Sequence, residues 1–467
     1  MGDSNVQNSL YAQPFAANEL SMALVIGGGI AGIQAALDIS GAGFPVLLVE
    51  RSPSIGGHAL QLSETFPTLD CPQCILTPKM VELTRRDNVT IWSNAEVESV
   101  ERKGDLFVVK IRRRAAGVIW EKCNGCGECE VSCPVVIPSL WDMQMGTQKA
   151  IYKPFPQAIP NIFNIHEDAC IGCGRCEKAC DQKAIDRTLK DRVTSVEVGA
   201  VVVATGYDLL PKEKLREYPQ HPDVVDALQF ERLLCPSGPT SGQVCRPSDG
   251  KVPGVVAFIS CVGSRDPARY LGYCSQVCCL ALAKAALLYH EAVSGGTSWI
   301  FYMERRAVGK GHETFLQRAS EEARIHYIRG RPASVEPIGK SLLVQAYDTQ
   351  ENVEVEVEVD MVVLACAMTP SAGTAALWKK LGVQTDSFGY PSTHGQEGNP
   401  VATNVPGVFT AGAAEGPKDI PDCVLQGSAA ASGAVIRLKG LGQASRPGPD
   451  CRGRGQITPG FSREVYP

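Results

Sequence analysis

The sequence lacks the features that would assign it to a membrane-spanning, secreted or nucleic-acid-binding class. It has no uninterrupted apolar run near the roughly 20 residues that a membrane-spanning helix needs, and it has no signal peptide. Its 45 basic and 50 acidic residues give a formal net charge of −5, which does not indicate nucleic-acid binding. We therefore expect a cytoplasmic protein with no direct membrane span and no nucleic-acid partner, which reaches a membrane only through partner subunits.

Cysteine, by contrast, is abundant, and its distribution predicts metal sites. The 467 residues include 19 cysteines, which without a signal peptide indicates a reducing compartment and metal thiolates rather than disulfides. Eight of them form two runs, Cys123 to Cys133 and Cys170 to Cys180, each spaced C-x2-C-x2-C-x3-C. This spacing is typical of two-cluster ferredoxins, in which three thiolates of a run bind one [4Fe–4S] cluster and the fourth binds the other.

The two runs therefore predict two [4Fe–4S] clusters with crossed ligands. The zinc alternative fits less well, because zinc ribbons use two C-x2-C pairs rather than triplets with a trailing x3-C. One departure from the ferredoxin pattern is that Cys133 precedes a proline, whereas Cys180 precedes Asp181. The predicted ligands are Cys123, Cys126, Cys129 and Cys180 for one cluster, and Cys170, Cys173, Cys176 and Cys133 for the other.

A dinucleotide-binding unit is predicted near the start of the chain. An apolar strand runs into a glycine turn at residues 22–32, a helical pattern follows, and a second apolar strand ends at Glu50. In this βαβ pattern Gly27 makes the tight turn, Gly29 lets the backbone approach a pyrophosphate and Gly32 allows close helix–strand packing. The acid at the strand end is placed to bind a ribose hydroxyl. The predicted contacts are Gly27, Gly29, Ile30, Ala31, Gly32 and Glu50.

The segment after Glu50 resembles the FAD domain of two-dinucleotide-domain flavoproteins, in which an acid followed by a Gly-Gly turn lines FAD. Residues 201–206 resemble the strand that returns to that domain, and residues 407–412 resemble its late strand near the flavin. The order of the three segments favours FAD over NAD. The resemblance adds Arg51, Gly57, His58, Ala204, Thr205, Gly206 and Gly412 to the predicted cofactor contacts.

A second α/β unit follows from about residue 251, and it lacks a second glycine fingerprint. Strands are predicted at 254–260, 297–303, 341–347 and 353–365, and helices at 275–292 and 312–323. Where flavoprotein reductases have the NAD(P)H turn, the first of these strands ends in Cys261-Val-Gly-Ser-Arg265. We therefore expect that nicotinamide binding has been lost.

Four further cysteines replace that fingerprint. Cys261, Cys274, Cys278 and Cys279 have the spacing C-x12-C-x3-C-C, which alone leaves a third cluster and reactive or buried thiols equally open. Adjacent residues of a helix point about 100° apart. The last two cysteines could therefore hold two corners of one cluster only in the first turn of a helix.

The chain resembles the A subunits of heterodisulfide reductase, a family of iron–sulfur flavoproteins, over roughly residues 22–440. The resemblance is carried by residues 25–36, 66–79, the eight-cysteine region and residues 261–284. The chain resembles a compact member of this family, similar to the A subunits of quinone-interacting oxidoreductase or benzoyl-CoA reductase complexes. The resemblance implies that Cys261, Cys274, Cys278 and Cys279 bind a third [4Fe–4S] cluster beside FAD, and that Lys284 lies near the flavin N5 atom.

The implied fold is a thioredoxin-reductase-like FAD/NAD(P)-type two-dinucleotide-domain α/β fold with an inserted two-cluster ferredoxin-like α+β domain. The predicted divisions are an N-terminal tail (1–20), an FAD-binding domain in three parts (21–118, 191–250 and 385–445), the ferredoxin insert (119–190), the second dinucleotide-like domain (251–384) and a C-terminal tail (446–467).

The implied function is that of an oxidoreductase subunit, which transfers electrons between FAD and three [4Fe–4S] clusters. Its partners would be the other subunits of a heterodisulfide-reductase-like complex, with ferredoxin or a membrane quinone module among them. A more specific form of this hypothesis is electron bifurcation, in which the two flavin electrons go to acceptors of unlike potential. The alternative is a stand-alone NAD(P)H-dependent flavoprotein disulfide or thiol reductase that uses Cys71 and Cys74.

The pair Cys71-Pro-Gln-Cys74 leaves three interpretations open. It could be a redox-active dithiol that attacks a disulfide, two ligands of a cluster completed by a partner, or a pair of structural thiols. The remaining cysteines show no ligand spacing and are predicted to be structural; they are Cys235, Cys245, Cys366, Cys423 and Cys451.

Overall fold

A computed structural model describes residues 22–392 and 398–444. Both predicted tails, and Cys451 with them, lie outside the described residues. The helices are α1 (Ile30–Gly41), α2 (Pro72–Thr84), α3 (Glu128–Val131), α4 (Arg175–Lys178), α5 (Ala227–Leu234), α6 (Cys278–Ala292), α7 (His312–Glu321), α8 (Thr374–Leu381) and α9 (Ile420–Ala444). Within these ranges no helix combines the length and apolar composition that crossing a membrane requires.

The strands are short and mostly buried. They are β1 (Ala23–Ile26), β2 (Val46–Val49), β3 (Val89–Trp92), β4 (Ala95–Lys103), β5 (Leu106–Arg113), β6 (Val136–Pro138), β7 (Thr147–Lys149), β8 (Ile151–Tyr152), β9 (Asn164–Ile165), β10 (Arg192–Val198), β11 (Ala200–Val203), β12 (Tyr207–Leu209), β13 (Val224–Asp226), β14 (Val255–Val262), β15 (Thr297–Tyr302), β16 (Ile325–Arg329), β17 (Pro332–Ile338), β18 (Ser341–Asp348), β19 (Val353–Val359), β20 (Met361–Cys366), β21 (Met368–Pro370) and β22 (Val408–Thr410).

The first domain is a five-stranded parallel sheet with the order β22-β11-β1-β2-β3. Its strands are continuous apolar runs because helices and a second sheet cover both faces. Helices α1 and α9 pack on one face, where Ile33 and Ala430 are fully buried. The antiparallel sheet β10-β5-β4 covers the other face. The sheet thus brings the two predicted FAD segments at β11 and β22 beside the glycine turn that follows β1.

The second domain is another five-stranded parallel sheet, with the order β13-β20-β14-β15-β16 and a three-stranded antiparallel sheet beside it. Its first strand, β13, pairs with β20, so this domain begins before the predicted boundary at residue 251. Helix α8 lies before the predicted return at residue 385, yet its Trp378 is buried in the first domain's core. Packing of these two elements, which local sequence does not reveal, moves both boundaries earlier.

The insert connects β5 to β10, which are antiparallel neighbours in one sheet. Its two-stranded sheets, β6-β7 and β8-β9, surround a small core that contains Trp120 and Phe163 together with Cys129 and Cys133. The insert therefore leaves and re-enters the first domain at adjacent strands without interrupting its sheet.

Two local predictions differ from the structure. The single strand predicted at 353–365 is two strands, β19 and β20, which belong to different sheets. The strand predicted at 254–260 does not end at residue 260, because β14 continues through Val262 and contains Cys261. A register shift between Ile259 and Val262 marks this extension.

Candidate flavin cavity and cysteine sites

A cavity of about 420 Å³ lies where the two domains and the insert meet. Most predicted FAD contacts line it: Gly27, Gly29, Ile30, Ala31, Glu50, Arg51, Gly57, His58, Ala204, Thr205 and Gly206. The two exceptions, Gly32 and Gly412, lie behind this wall. The size is within the range of cavities that bind cofactors in proteins.

The glycine turn has the geometry that a bound dinucleotide requires. A Cβ atom at Gly27 would lie 2.2 Å from the Ala204 carbonyl oxygen, and one at Gly32 would lie 1.9 Å from the Gly27 carbonyl oxygen. Both positions therefore need glycine for packing. A Cβ at Gly29 would meet no atom within 4 Å, so this residue, the N-cap of α1, leaves open space at a helix N-terminus. The arrangement fits a pyrophosphate group.

Gly412 supports the same wall from behind. Its φ of 65° is in the left-handed region, and a Cβ there would lie 2.7 Å from the Ala31 side chain. Its neighbours Ala411 and Ala413 line the cavity. Glycine at this position therefore lets β22 approach the start of α1.

Glu50 holds the turn together at the cavity edge. Its carboxylate accepts hydrogen bonds from the Gly28 N–H at 2.6 Å and the Ser52 N–H at 2.7 Å. Each carboxylate oxygen has a second lone pair, so the side chain can still accept a hydroxyl hydrogen bond. The predicted ribose contact is compatible with these bonds.

Lys284 is buried in the cavity wall, with 2% of its side chain exposed. Its Nζ atom lies 2.6 Å from a Glu231 carboxylate oxygen and donates a hydrogen bond to the Glu64 carbonyl at 2.6 Å. The second carboxylate oxygen of Glu231 accepts from the N–H and hydroxyl of Ser63. The lysine and Glu231 thus bring a buried ion pair to the cavity, and both carboxylate oxygens of Glu231 have partners.

The four cysteines of the second domain gather beside the cavity. Cys261 lies in β14 with a φ of 57°, and α6 begins at Cys278, so the adjacent pair is in the first helical turn as cluster binding requires. Burial, followed by the neighbouring thiols Cys261, Cys279 and Cys274, raises the pKa of Cys278. Cys278 also lines the cavity. We call these four residues the Cys261 site.

Backbone donors serve this site as well. The Gln276 N–H donates to the Cys274 sulfur at 3.3 Å, and the Arg306 N–H donates to the Cys279 sulfur at 3.4 Å. Hydrogen bonds to cysteine sulfur tune the potential of an iron–sulfur cluster. The surroundings therefore suit a cluster better than unreactive buried thiols.

The insert brings its eight cysteines together in the crossed arrangement. Burial raises the pKa of Cys129 to about 12, and the thiols that add to this effect are Cys123, Cys126 and Cys180. Burial also raises the pKa of Cys176, with contributions from Cys170 and Cys133. A small cavity is lined by the complete second set, Cys133, Cys170, Cys173 and Cys176.

Glycines between the insert cysteines have the backbone conformation that the loops need. Gly125, Gly127, Gly172 and Gly174 all have positive φ, from 68° to 93°.

Among the described residues, no group of three or more His, Cys, Asp or Glu side chains could hold a single metal ion. Thiolates of a cubane cluster bind different iron atoms, so they need not converge on one point.

Cys71 and Cys74 lie away from the flavin cavity. Cys71 is the N-cap of α2, both side chains are exposed, and neither lines the cavity. The structure therefore does not bring this pair together with the predicted FAD contacts.

Several cavity residues were missed by the sequence analysis. They come from the insert (Trp141 and Phe155), from β12 (Tyr207), from the loop before α9 (Lys418) and from two cysteines predicted to be structural (Cys366 and Cys423). Tyr207 directly follows the Ala-Thr-Gly segment and could have been found from that position. The others come together only through tertiary packing.

Comparisons with known proteins agree with this architecture. Residues 122–184 match a family described as a 4Fe-4S dicluster domain, and residues 25–78 match a family described as an NAD(P)-binding Rossmann-like domain. The crystal structure of Lactococcus lactis thioredoxin reductase is similar with a TM-score of 0.51, at 16% identity, and covers 90% of this chain and 99% of that chain. This likeness confirms the predicted fold.

Relatives of higher identity share nearly the whole chain. It is 46% identical over 420 residues to an iron-sulfur A subunit of the CoB--CoM heterodisulfide reductase of Methanopyrus kandleri, which covers 89% of this chain and 64% of that relative. It is 43% identical over 432 residues to the A subunit of the H(2):CoB-CoM heterodisulfide,ferredoxin reductase of Methanothermobacter marburgensis, covering 91% and 66%.

The chain therefore spans 64 to 66% of the length of these two relatives. A third relative, a protein of Archaeoglobus profundus named for its likeness to the heterodisulfide reductase A subunit, is 40% identical over 88% of this chain. Over about nine tenths of its length the chain is thus similar, at 40 to 46% identity, to proteins named as heterodisulfide reductase A subunits or for their likeness to them.

Proposed function

We propose that the chain is the FAD- and [4Fe–4S]-containing electron-transfer subunit of a heterodisulfide-reductase-like multi-subunit oxidoreductase. FAD exchanges electrons in pairs or singly, whereas each cluster carries one electron, so the two together convert between both kinds of transfer. The proposed load is one FAD and three [4Fe–4S] clusters, two in the insert and one at the Cys261 site.

The observation that carries this proposal is the composition of the cavity wall. Cys278 of the Cys261 site lines the cavity, and so do Trp141, Tyr152 and Phe155 of the insert. One cysteine of the Cys261 site and the insert that carries the other eight therefore adjoin the predicted flavin position. Short distances between redox centres are what electron transfer requires.

Lys284 is proposed to tune the flavin. A cation beside the flavin ring favours the reduced, anionic state of the cofactor. Glu231 holds the lysine side chain in place, because the carboxylate is itself fixed by the Ser63 N–H and hydroxyl. The cavity wall thus supplies a positioned positive charge in a buried environment.

Iron and flavin analysis of the anaerobically purified protein tests the proposal. Three clusters predict about twelve iron atoms per FAD, and reduction by dithionite should bleach the cluster absorbance reversibly and produce cubane EPR signals. About eight iron atoms per FAD would mean that only two clusters are present and that the Cys261 site holds none. Clusters that dithionite does not reduce would instead indicate a structural role, as in an assembly scaffold.

The finer proposal concerns partners. The relatives' names call them A subunits of reductases, which supports partner subunits for this chain, and one of the names includes ferredoxin. The proposed electron acceptor or donor is ferredoxin or a membrane quinone module. Bifurcation would send the two flavin electrons to acceptors of unlike potential. Co-purification of the native complex tests the partners, and electron balance between two acceptors tests bifurcation. In this proposal the protein is cytoplasmic and meets membranes only through partners.

The alternative, a stand-alone NAD(P)H-dependent thiol reductase, has less support. Cys71 and Cys74 do not line the cavity, and β14 leads into Cys261 rather than a glycine fingerprint. Anaerobic addition of stoichiometric NADH and NADPH distinguishes the two functions. Rapid reduction of the flavin by either nucleotide would favour the alternative.

A further inference from the structure

Cys71 and Cys74 form a surface dithiol that the proposed electron-transfer function leaves unused. Cys71 is the N-cap of α2, Pro72 is the first helical residue, and Cys74 lies within the first turn. Both side chains are exposed, and their sulfur atoms lie 2.8 Å apart. A reactive cysteine must be accessible, and these two are.

The helix start makes the two thiols unequal. The Cys71 sulfur accepts a hydrogen bond from the Cys74 N–H at 3.3 Å and another from the Cys74 thiol at 2.8 Å. Backbone donors and the positive end of a helix stabilise a thiolate, and C-x-x-C pairs at helix N-termini use this effect. The hydrogen bond to Cys71 is also the main cause that raises the pKa of Cys74. The hydrogen bonds to the Cys71 sulfur therefore favour Cys71 as the nucleophile and Cys74 as the resolving thiol.

The protein surface around Cys71 and Cys74 is accessible to a substrate. Ile75, the next residue, has 42% of its surface exposed and offers an apolar contact beside Cys74. Gln73 is turned to Ser237, whose hydroxyl accepts a hydrogen bond from its side-chain amide at 2.9 Å. A disulfide can therefore approach the Cys71 sulfur without displacing a buried side chain.

We infer that Cys71 and Cys74 form a thiol–disulfide exchange site that reduces a disulfide presented at the protein surface. This inference does not depend on the proposed function. The Cys71 thiolate attacks one sulfur of the disulfide R–S–S–R′, the Cys71–R disulfide bond forms, and R′–S⁻ leaves and takes up a proton. Cys74 then loses its proton to solvent and attacks the Cys71 sulfur, and R–S⁻ leaves and is protonated. The substrate gains two electrons and two protons, and the pair becomes a disulfide.

The test uses the full chain, loaded with flavin and clusters, under anaerobic conditions. Hydroxyethyl disulfide serves as the small disulfide and insulin as the protein disulfide, in separate reactions. After an acid quench, free thiols are alkylated and the tryptic peptide of residues 52–79 is analysed by mass spectrometry, because Cys71 and Cys74 are its only cysteines. Reaction with one substrate and not the other identifies the source of the disulfide.

We expect the unsubstituted peptide to lose both free thiols. Cys74→Ser should accumulate a mixed disulfide on Cys71, because the resolving thiol is gone. Cys71→Ser should react at about one tenth of the rate of the unsubstituted protein or below, because the nucleophile is gone. Cys245→Ser, a half-buried cysteine outside every predicted set, is the matched control and should behave like the unsubstituted protein. Iron and FAD contents should be unchanged in all three variants.

Three results would overturn the inference. Equal reaction rates of Cys71→Ser and Cys74→Ser would remove the distinction between nucleophile and resolving thiol. Failure of the unsubstituted pair to react with either disulfide would remove the activity. Loss of iron in Cys71→Ser, purified with its partner subunits, would show that the pair binds a cluster instead.

Discussion

The insert and the Cys261 site differ in how far some of their cysteines are exposed to solvent. In the insert Cys126 and Cys173 are exposed, whereas in the second domain Cys261 and Cys278 are buried and Cys278 lines the flavin cavity. Solvent exposure and hydrogen bonding to sulfur help to set the potential of an iron–sulfur cluster. In the proposed function, this difference assigns the Cys261 site to electron exchange with the flavin and the insert to exchange with a partner.

The two sites are also encoded differently. Each insert run contains three predicted ligands of a cluster within seven residues, so local loop geometry suffices to bring them together. The Cys261 site needs a strand, a loop and the first turn of α6 to meet, so it exists only when the second domain is folded. Loss of that fold should therefore remove one cluster and leave the other two.

The largest expected effect is a loss of iron when the Cys261 site is removed and the insert is left intact. Cys278→Ser combined with Cys279→Ser should remove about four of about twelve iron atoms per FAD, while the EPR signals of the insert persist. Iron analysis and EPR measure the result. Cys235→Ser, a buried cysteine outside the four, is the control and should keep all its iron. Full iron content in the double variant would contradict a cluster at the Cys261 site.

The next largest effect is expected at the ion pair between Lys284 and Glu231, which should act on the flavin and not on the insert. Lys284→Met leaves the buried Glu231 carboxylate unpaired, which should cost about 3–5 kcal/mol of stability and lower the flavin midpoint potential. Combining it with Glu231→Gln should recover part of the stability, because no buried charge is then unpaired. Denaturant unfolding and a flavin redox titration measure both effects. Equal shifts in the potentials of the insert clusters would show that the lysine does not act locally on the flavin.

Flavin binding can be weakened without disturbing the fold. Gly29→Ala adds a methyl group to open space in the turn, so it should reduce FAD affinity by about tenfold, or about 1.4 kcal/mol, with little effect on the insert. Gly41→Ala adds the same group at an exposed helix end with no neighbour within 4 Å, and FAD affinity should be unchanged. Flavin retention during gel filtration measures the difference. Equal retention by the two variants would place the pyrophosphate elsewhere.

The smallest effect is expected at the outer surface of the insert. Ile171 follows Cys170 and has 69% of its surface exposed. Ile171→Ser should slow electron transfer to a ferredoxin acceptor by about fivefold or less, since single rim contacts contribute little to association. Stopped-flow kinetics give the rate, and Ile338→Ser on the second domain is the control with an exposed isoleucine far from any cluster cysteine. A larger effect at Ile338 would place the partner on the other domain.

The parts of the site that sequence predicted are those that a short stretch of chain builds alone. The glycine turn at Gly27 and the insert cysteines follow from fixed spacing, and the start of α6 at Cys278 follows from the requirement that adjacent cysteines share one turn. The partner of Lys284 could not be predicted, because Glu231 comes from a helix more than 50 residues away. Cys366 and Cys423 reach the cavity in the same way, through packing of distant elements.

The order of strands in the first domain sets an order of assembly. The sheet is completed by β22, which pairs with β11, and the cavity wall includes Lys418 and Cys423. During synthesis the eight insert cysteines leave the ribosome long before these residues do. Nascent chains should therefore be able to receive the insert clusters first, whereas flavin can be enclosed only after translation has passed Cys423. A translationally arrested chain that ends before β22 would be an iron–sulfur protein without a flavin.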